Sequence, residues 1–320
     1  MTDHQYLKNT PPRTAPGTGR AARHAVILAG GEGSRLRELT RIIEGDERPK
    51  QFCHIIEGQS LLDMTRRRTS LIIDPDRIHF SLTARHERYF RPILFDVPEA
   101  RLHVQPSNKG TAPAILFSLL KLAELSKTST AVFFPSDHYF SDLAKLKENV
   151  DRAFRIVETG AAGLVLLGIE PTYAETAYGW IEPSDSFFGS LTNSVSRVRR
   201  FWEKPDRSTA NELLKRGGLW NSFVMVARVT DLLDRFKSCL PDLYSELSVT
   251  VGHAQEKVMN AVYERIPESN FSSEVLERST DMLHVLRVND ANWSDLGEPQ
   301  RVLGTMNVLG EKAEWMAYAA

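Results

Sequence analysis

The chain has 320 residues, and its 40 lysines and arginines meet 41 aspartates and glutamates for a formal net charge of −1. That balance excludes a bulk nucleic-acid binder, so any anion must be handled at a local site. A hydrophobic fraction of 42% with 25% charged residues is that of a globular protein able to bury a large core, and no apolar run has the length of a membrane span or a secretory leader. The two cysteines, Cys53 and Cys239, offer neither a disulfide framework nor a metal-ligand spacing, which fits a cytoplasmic location. Residues 1–23 contain NTPPRTAPGTGRAAR and are expected to be a disordered tail. Arg13, Arg20 and Arg23 are the residues through which it would touch a phosphate or a membrane surface.

In chain order, HAVILA from His24 is a short apolar run bounded by glycines and reads as a buried strand. SLLDMTRRRTSLI, residues 60–72, carries apolar residues at helical spacing behind a serine cap. RIHFSLT reads as a strand and RHERYFRPILF as a helix with a proline near its middle. GTAPAILFSLLKLAEL, residues 110–125, predicts a helix capped by Thr111 with Pro113 in its first turn. TAVFFP and GAAGLVLLGI are buried strands on either side of the amphipathic helix DLAKLKENVDRAFRIVET. Alternation of strand and helix predicts an α/β, Rossmann-like fold with a mainly parallel sheet flanked by helices.

From Tyr178 the rhythm changes. YGWIEP, SVSRVRRFWEKP and WNSFVMVARV are strand-like and predict an antiparallel or mixed portion of the sheet. Residues 231–278 are mostly helical, DMLHVLRV is one more strand, and NDANWSDLGEP leads to a last helix. The expected division is a core over residues 24–230 and a mostly helical C-terminal region over residues 231–320. The sequence has no internal repeat and no hexapeptide period of the kind that builds a β-helix.

The stretch GGEGSRL after the first strand is the first candidate site. It lacks the lysine of a P-loop, and the frame from Gly31 gives Gly33 but then Leu36, so the dinucleotide fingerprint is broken. What remains is a strand, a flexible loop and a helix start, which supply free N–H donors and a favourable dipole for an anion. Arg35 adds a forked cation suited to phosphate oxygens; the plain alternative is a tight turn with a solvated arginine. The nine histidines show no zinc-binding pattern.

Further segments follow in a fixed order: RPKQF with Lys50, QPSNKGTAPAI with Gln105, Gly110 and Thr111, FFPSDHYF with Asp137, AYGWIEP with Gly179, RFWEKPD with Glu203 and Lys204, WNSF with Asn221, and NWSDLG with Asp295. This ordered set resembles the sugar-phosphate nucleotidyltransferases, most nearly the mannose-1-phosphate guanylyltransferases, over residues 24–301. The resemblance implies a GT-A-like fold and Mg²⁺-dependent transfer of a nucleotidyl group from a nucleoside triphosphate to a sugar 1-phosphate. GTP and mannose 1-phosphate are the expected pair, with another sugar phosphate, another nucleotide or a non-catalytic binding subunit as alternatives.

It further implies that Leu28, Ala29, Gly30, Gly31, Gly33, Ser34 and Arg35 hold the nucleotide, with Gln105, Gly110 and Thr111 beside the base. Arg35 and Lys50 would neutralise the phosphates, and Asp137 and Asp295 would bind Mg²⁺. Gly179, Glu203 and Asn221 would bind sugar hydroxyls, and Lys204 the sugar phosphate. His138 and the tryptophans are expected to be packing residues, with Trp220 an equal candidate for stacking on a sugar. Three departures stand out: Glu38 replaces the family's proline, Phe223 replaces the glycine of N-S-G, and the helical stretch of residues 231–278 replaces the longer C-terminal domains of relatives. That stretch would serve a homodimer contact or pack over the sugar site.

Overall fold

A computed structural model describes residues 22–126, 128–188, 195–252, 256–289, 292–313 and 315–316. The stretch read as a tail lies outside the described residues up to residue 21. Arg23 already belongs to the first strand, where its guanidinium pairs with Glu158 at 2.6 Å and Asp151 at 3.3 Å. It is a structural residue and no part of a tail.

The first half alternates as predicted. Strands β1 (Arg23–Leu28), β2 (Ile78–Thr83), β3 (Leu102–Gln105) and β4 (Thr130–Pro135) are interleaved with helices α1 (Arg37–Glu44), α2 (Leu61–Ser70), α3 (Glu87–Ile93) and α4 (Thr111–Leu125). The short β5 (Tyr139–Phe140), helix α5 (Leu143–Glu158) and β6 (Leu164–Ile169) follow. Then come β7 (Gly179–Phe188), β8 (Val195–Glu203), α6 (Arg207–Lys215) and β9 (Leu219–Arg228). The last part holds α7 (Val229–Cys239), α8 (Pro241–Ser248), α9 (Glu256–Arg265), β10 (Leu283–Val288), β11 (Trp293–Ser294) and α10 (Pro299–Leu309).

The caps explain several starts. Ser60 Oγ accepts the Asp63 N–H at 3.1 Å to open α2, and Asp142 and Asp206 do the same for α5 and α6. Helix α4 departs from expectation. Gly110 is its cap residue, and Thr111 is the first helical residue; its hydroxyl instead accepts the N–H of Phe271 at 2.9 Å.

The main sheet runs β3-β2-β1-β4-β9-β6-β10-β8-β7, and β7 also pairs with β9. Strands β3, β2, β1 and β4 are parallel, whereas β9 runs antiparallel to both β4 and β6. Strand β10 lies parallel to β6 and antiparallel to β8. A strand from beyond residue 230 therefore sits inside the sheet, between two strands from before it.

Neighbouring residues on the central strands feed opposite faces, as the two-residue period of a strand requires. Val26, Phe133 and Val285 join the layer formed with α4, α7, α8 and α9, whereas Ile27, Phe134 and Leu286 join the layer that α5 covers. All six are fully buried, and each contributes about 1.5–3 kcal/mol of transfer free energy. A third, smaller cluster packs Val302 and Met306 of α10 against Leu36, Leu39 and Ile55. No helix among the described residues is long and apolar enough to cross a membrane.

Candidate active site

Strands β1 and β4 end side by side, Leu28 opposite Pro135. The chain leaves β1 into the glycine loop, whose carbonyls are held from below. Gln51 Nε2 donates to Ala29 O at 3.1 Å and Gly31 O at 2.7 Å, and Thr83 Oγ1 donates to Gly30 O at 3.1 Å. Anchoring the carbonyls leaves the loop's amide N–H groups for an incoming anion. Gly33 has φ +60°, and a Cβ there would lie 2.8 Å from the Lys50 backbone nitrogen. The glycine thus lets the loop rest directly on the RPKQF segment.

The loop opens onto a cleft of about 390 Å³. Its walls include Leu28, Gly30, Gly31, Gly33, Gln105, Gly110, Thr111, Asp137, Gly179, Glu203, Lys204, Asn221 and Asp295. Four other expected residues lie outside these walls. Ala29 is fully buried beneath the loop, Ser34 and Arg35 are exposed beyond it, and Lys50 is buried behind it. Arg35 makes no hydrogen bond or ion pair among the described residues. A Cβ on Gly297 would meet Arg35 Nη2 at 3.1 Å and Asp295 Oδ2 at 2.2 Å, so the glycine leaves room for the Asp295 carboxylate.

Asp137 and Asp295 are 158 positions apart and are brought together by a two-stranded ribbon. Strand β5, just after Asp137, pairs antiparallel with β11, just before Asp295. Lys50 ties the same two segments. Its ammonium lies 3.1 Å from Asp137 Oδ2 and donates to the carbonyls of Asp295 at 2.6 Å and Leu296 at 3.0 Å. Leu296 is left-handed at φ +46° and fully buried, which turns its carbonyl toward the lysine at a cost in backbone strain. From α2, Arg68 donates to Pro135 O and His138 O, and Thr65 to Ser136 O, so the loop carrying Asp137 is clamped on three carbonyls.

Asp295 Oδ1 accepts three hydrogen bonds of 2.9 Å, from Tyr178 Oη, Arg301 Nη1 and the Gly297 N–H. Burial alone would raise this carboxyl. Lys50 and Arg301, joined by His138 when that ring is protonated, overcome it and hold the pKa below the usual carboxylate value. His138 itself is pushed down to about 4 by burial, so it is neutral near pH 7, with Nδ1 3.3 Å from the Trp293 indole N–H.

The donor set fits a hard divalent cation. Asp137 is partly exposed on the cleft, and Asp295 Oδ2 accepts no hydrogen bond among the described residues. Among those residues no group of three or more His, Cys, Asp and Glu could hold a metal unaided. Two carboxylates completed by substrate phosphates and water are what Mg²⁺ ordinarily takes.

At the far end of the cleft, Gly179, Glu203 and Asn221 converge. A Cβ on Gly179 would sit 3.2 Å from Glu203 Oε2 and 3.4 Å from Asn221 Cβ. Burial pushes the Glu203 carboxyl up, against the pull of Lys204, whose exposed ammonium is 3.6 Å away. Asn221 Oδ1 accepts the Phe223 N–H at 3.0 Å, so its amide NH₂ group is the part left to meet a ligand. Phe223 has φ +61°, lines the cleft and packs its ring edge-on against Phe271.

The helical stretch lines the cleft from Gln105 across to Glu203, beside which Ser272 lies. Tyr263 Oη donates to Gln105 Oε1 at 3.0 Å, and Ala112 N donates to Ser269 O at 3.1 Å. Asn270 and Ser272 complete that wall. The stretch thus packs over Gln105–Thr111 and Phe223. Sequence reasoning missed Gln51, although it lies inside the quoted RPKQF, and it missed Tyr263 and Arg301, for which the sequence holds no local signal. Among the tryptophans, Trp293 faces the cleft, whereas Trp220 is buried among Tyr173, Tyr178 and Trp180.

The family model described as Nucleotidyl transferase matches residues 24–311. The chain is 27% identical over 286 residues to a mannose-1-phosphate guanylyltransferase of Escherichia coli, an alignment covering 85% of this chain and 59% of that protein. It is 30% identical over 286 residues to another of the same description from Salmonella montevideo, covering 85% and 57%. The chain therefore spans less than two thirds of the length of these curated relatives. A solved structure from Thermus thermophilus, described as a mannose-1-phosphate geranyltransferase, superposes with a TM-score of 0.74 at 27% identity, covering 86% of this chain and 76% of that one. A putative glucose-1-phosphate thymidylyltransferase of Bacillus anthracis shares the fold with a TM-score of 0.58 at 17% identity, covering 92% of this chain and 97% of that one.

Proposed function

Because the chain belongs to the nucleotidyl transferase family, we propose that it transfers GMP from GTP to mannose 1-phosphate, giving GDP-mannose and pyrophosphate in a Mg²⁺-dependent reaction. The observation that carries this reading is the pair Asp137 and Asp295, drawn to one cleft by the β5–β11 ribbon and by Lys50, between the glycine loop and the Glu203–Asn221 end. The descriptions of the relatives support the choice of base and sugar.

In this reading the amides of the glycine loop and the N-terminus of α4 receive the nucleotide, with Gln105, Gly110 and Thr111 beside the base. Glu203, Asn221 and the Gly179 backbone take sugar hydroxyls, and Lys204 takes the sugar phosphate. An oxygen of that phosphate attacks the α-phosphorus of GTP. The bond from the α-phosphorus to the bridging oxygen breaks, and its electron pair leaves with pyrophosphate. The attacking monoester is already an anion, so no protein base is needed, and the protein's task is to align two polyanions and offset their charge. Arg35 at the rim and Lys50 behind Asp137 supply fixed positive charge for the triphosphate and the departing pyrophosphate. Mg²⁺, held by Asp137 and Asp295, would neutralise phosphate oxygens and orient them for displacement. Nucleoside triphosphates are cytoplasmic metabolites, which supports a cytoplasmic reaction.

The test is pyrophosphate release with Mg²⁺, crossing four nucleoside triphosphates against mannose, glucose, glucosamine and heptose 1-phosphates. Release with GTP and mannose 1-phosphate alone is expected. Release with another pair keeps the chemistry and changes the substrate. No release with any pair, from folded protein that binds nucleotide, overturns the transferase reading.

A further inference from the structure

We propose that Arg301 is a positioning residue that ties the carboxylate of Asp295 to the loop lining the sugar side of the cleft, an inference that rests on the nucleotidyl-transfer reading. Arg301 stands in the first turn of α10. That is the positive end of the helix dipole, where a cation is disfavoured unless carboxylates hold it. Its side chain is only 13% exposed. One arm, Nη1, donates to Asp295 Oδ1 at 2.9 Å, and the other, Nη2, donates to Glu175 Oε2. The guanidinium carbon lies 4.6 Å from the centre of the Tyr178 ring, and the Tyr178 hydroxyl donates to the same Asp295 oxygen at 2.9 Å. Arg301, Asp295 and Tyr178 thus form a closed triangle.

Glu175 carries the connection into the loop between β6 and β7. Its Oε1 accepts the Ala177 N–H at 2.8 Å, and its carbonyl accepts the Trp180 indole N–H at 2.7 Å. Ala177 and Tyr178 both line the cleft next to Gly179. One planar, forked cation therefore sets the orientation of Asp295 and the position of the sugar-side wall together. With Oδ1 of Asp295 engaged three times, Oδ2 is the oxygen left to face a cation. Loosening Oδ1 lets the carboxylate rotate and lets the loop move away from it. A lysine keeps the charge but cannot span both carboxylates while stacking on the ring.

The test compares Arg301→Lys and Arg301→Met with the wild type. Folding is checked by circular dichroism and chemical unfolding, and kinetic constants are expressed per folded enzyme. Arg301→Lys is expected to fold, to lose about 10- to 100-fold in kcat, and to raise KM for mannose 1-phosphate, with KM for GTP within about threefold of wild type. A merely structural role lowers the folded fraction and leaves that split untouched. The second readout needs no turnover: GTP affinity is measured with Mn²⁺ and again in EDTA, and the ratio reports the metal's contribution. The ratio is expected to fall about tenfold in Arg301→Lys. Wild-type kcat and a wild-type ratio in both variants overturn the proposal, as does a wild type whose GTP affinity ignores Mn²⁺. A wild type that releases no pyrophosphate overturns the transferase reading instead. The Mn²⁺ ratio then decides the proposal separately: a fall supports it and an unchanged ratio overturns it.

Discussion

At the scale of single residues, Phe223 is where the chain accepts strain beside the cleft. A phenylalanine at φ +61° costs roughly 1–2 kcal/mol that a glycine would not. Truncating a fully buried phenylalanine to alanine ordinarily costs about 3–5 kcal/mol, and the half-buried Phe223 should lose less. Phe223→Gly gives back the strain as it removes the ring, whereas Phe223→Ala removes the ring and keeps the strain. Chemical denaturation should therefore rank the glycine variant above the alanine variant, and the reverse order would mean that the backbone is relaxed there. If the ring bounds the sugar, Phe223→Gly should also accept additional sugar 1-phosphates, and an unchanged profile would place the ring outside the sugar's reach. The two carboxylates should separate in the same way. Asp137 is partly exposed with one cationic contact, whereas Asp295 is buried with three donors on one oxygen. Both Asp→Asn changes are expected to lower turnover by about 100-fold or more. Asp137→Asn should lose about 1–2 kcal/mol, because it takes the carboxylate from the buried Lys50 ammonium while two carbonyls still hold it, whereas Asp295→Asn should lose about 2–4 kcal/mol. Full activity in both variants would remove them from the metal's binding set.

Across neighbouring strands, three histidines form a buried row. His24 on β1 has Nδ1 3.1 Å from His79 Nε2 on β2, and the His79 ring lies 5.1 Å from that of His103 on β3. Burial pushes His24 to about 4, His79 to about 3 and His103 well below the ordinary value, with Arg77, Arg101 and Lys121 adding repulsion. The folded protein thus refuses protons that the unfolded chain takes up near pH 6.5. Unfolding is then favoured as protons become available, so the stability these rings contribute is complete above about pH 6.5 and is lost as pH falls toward 4. Denaturation midpoints should be flat from pH 7 to 8 and fall steadily below 6.5. A His24→Asn, His79→Asn double variant should flatten that fall, and an undiminished slope would assign it to other groups. Two of the strands that carry this row, β1 and β2, were legible in the sequence from their apolar runs, whereas β3, with four residues LHVQ, was not. The ribbon that brings Asp137 to Asp295 was not legible either, because β5 and β11 have two residues each. A two-residue strand shows no period, and its pairing is fixed only by the fold around it. Family motifs supplied the two aspartates without that geometry. Arg301 had no such aid, since its partners Glu175, Tyr178 and Asp295 meet it only in three dimensions.

For the whole molecule, the question is what can fold alone. The rhythm of the sequence breaks near residue 230, and a chain ending there would hold every strand up to β9. Yet β10 fills the gap between β6 and β8, and Leu283, Val285 and Leu286 are buried on it. Helices α7 to α9 cover the face that carries Val26, Phe133 and Leu166. A fragment of residues 22–230 would leave two strand edges unpaired in the middle of the sheet and, although α4 remains, would expose the part of that apolar face that α7 to α9 cover. Exposed edges and faces of that kind favour association over a monomeric fold. The fragment is therefore expected to aggregate or to lack a cooperative unfolding transition, as read by light scattering and by circular dichroism against denaturant. Co-expression with residues 231–320 as a separate chain should restore a soluble complex, because the missing strand and the helical wall arrive together. Cooperative, reversible unfolding of residues 22–230 alone would show instead that the parallel half of the sheet is an autonomous core and that the later strand only completes it.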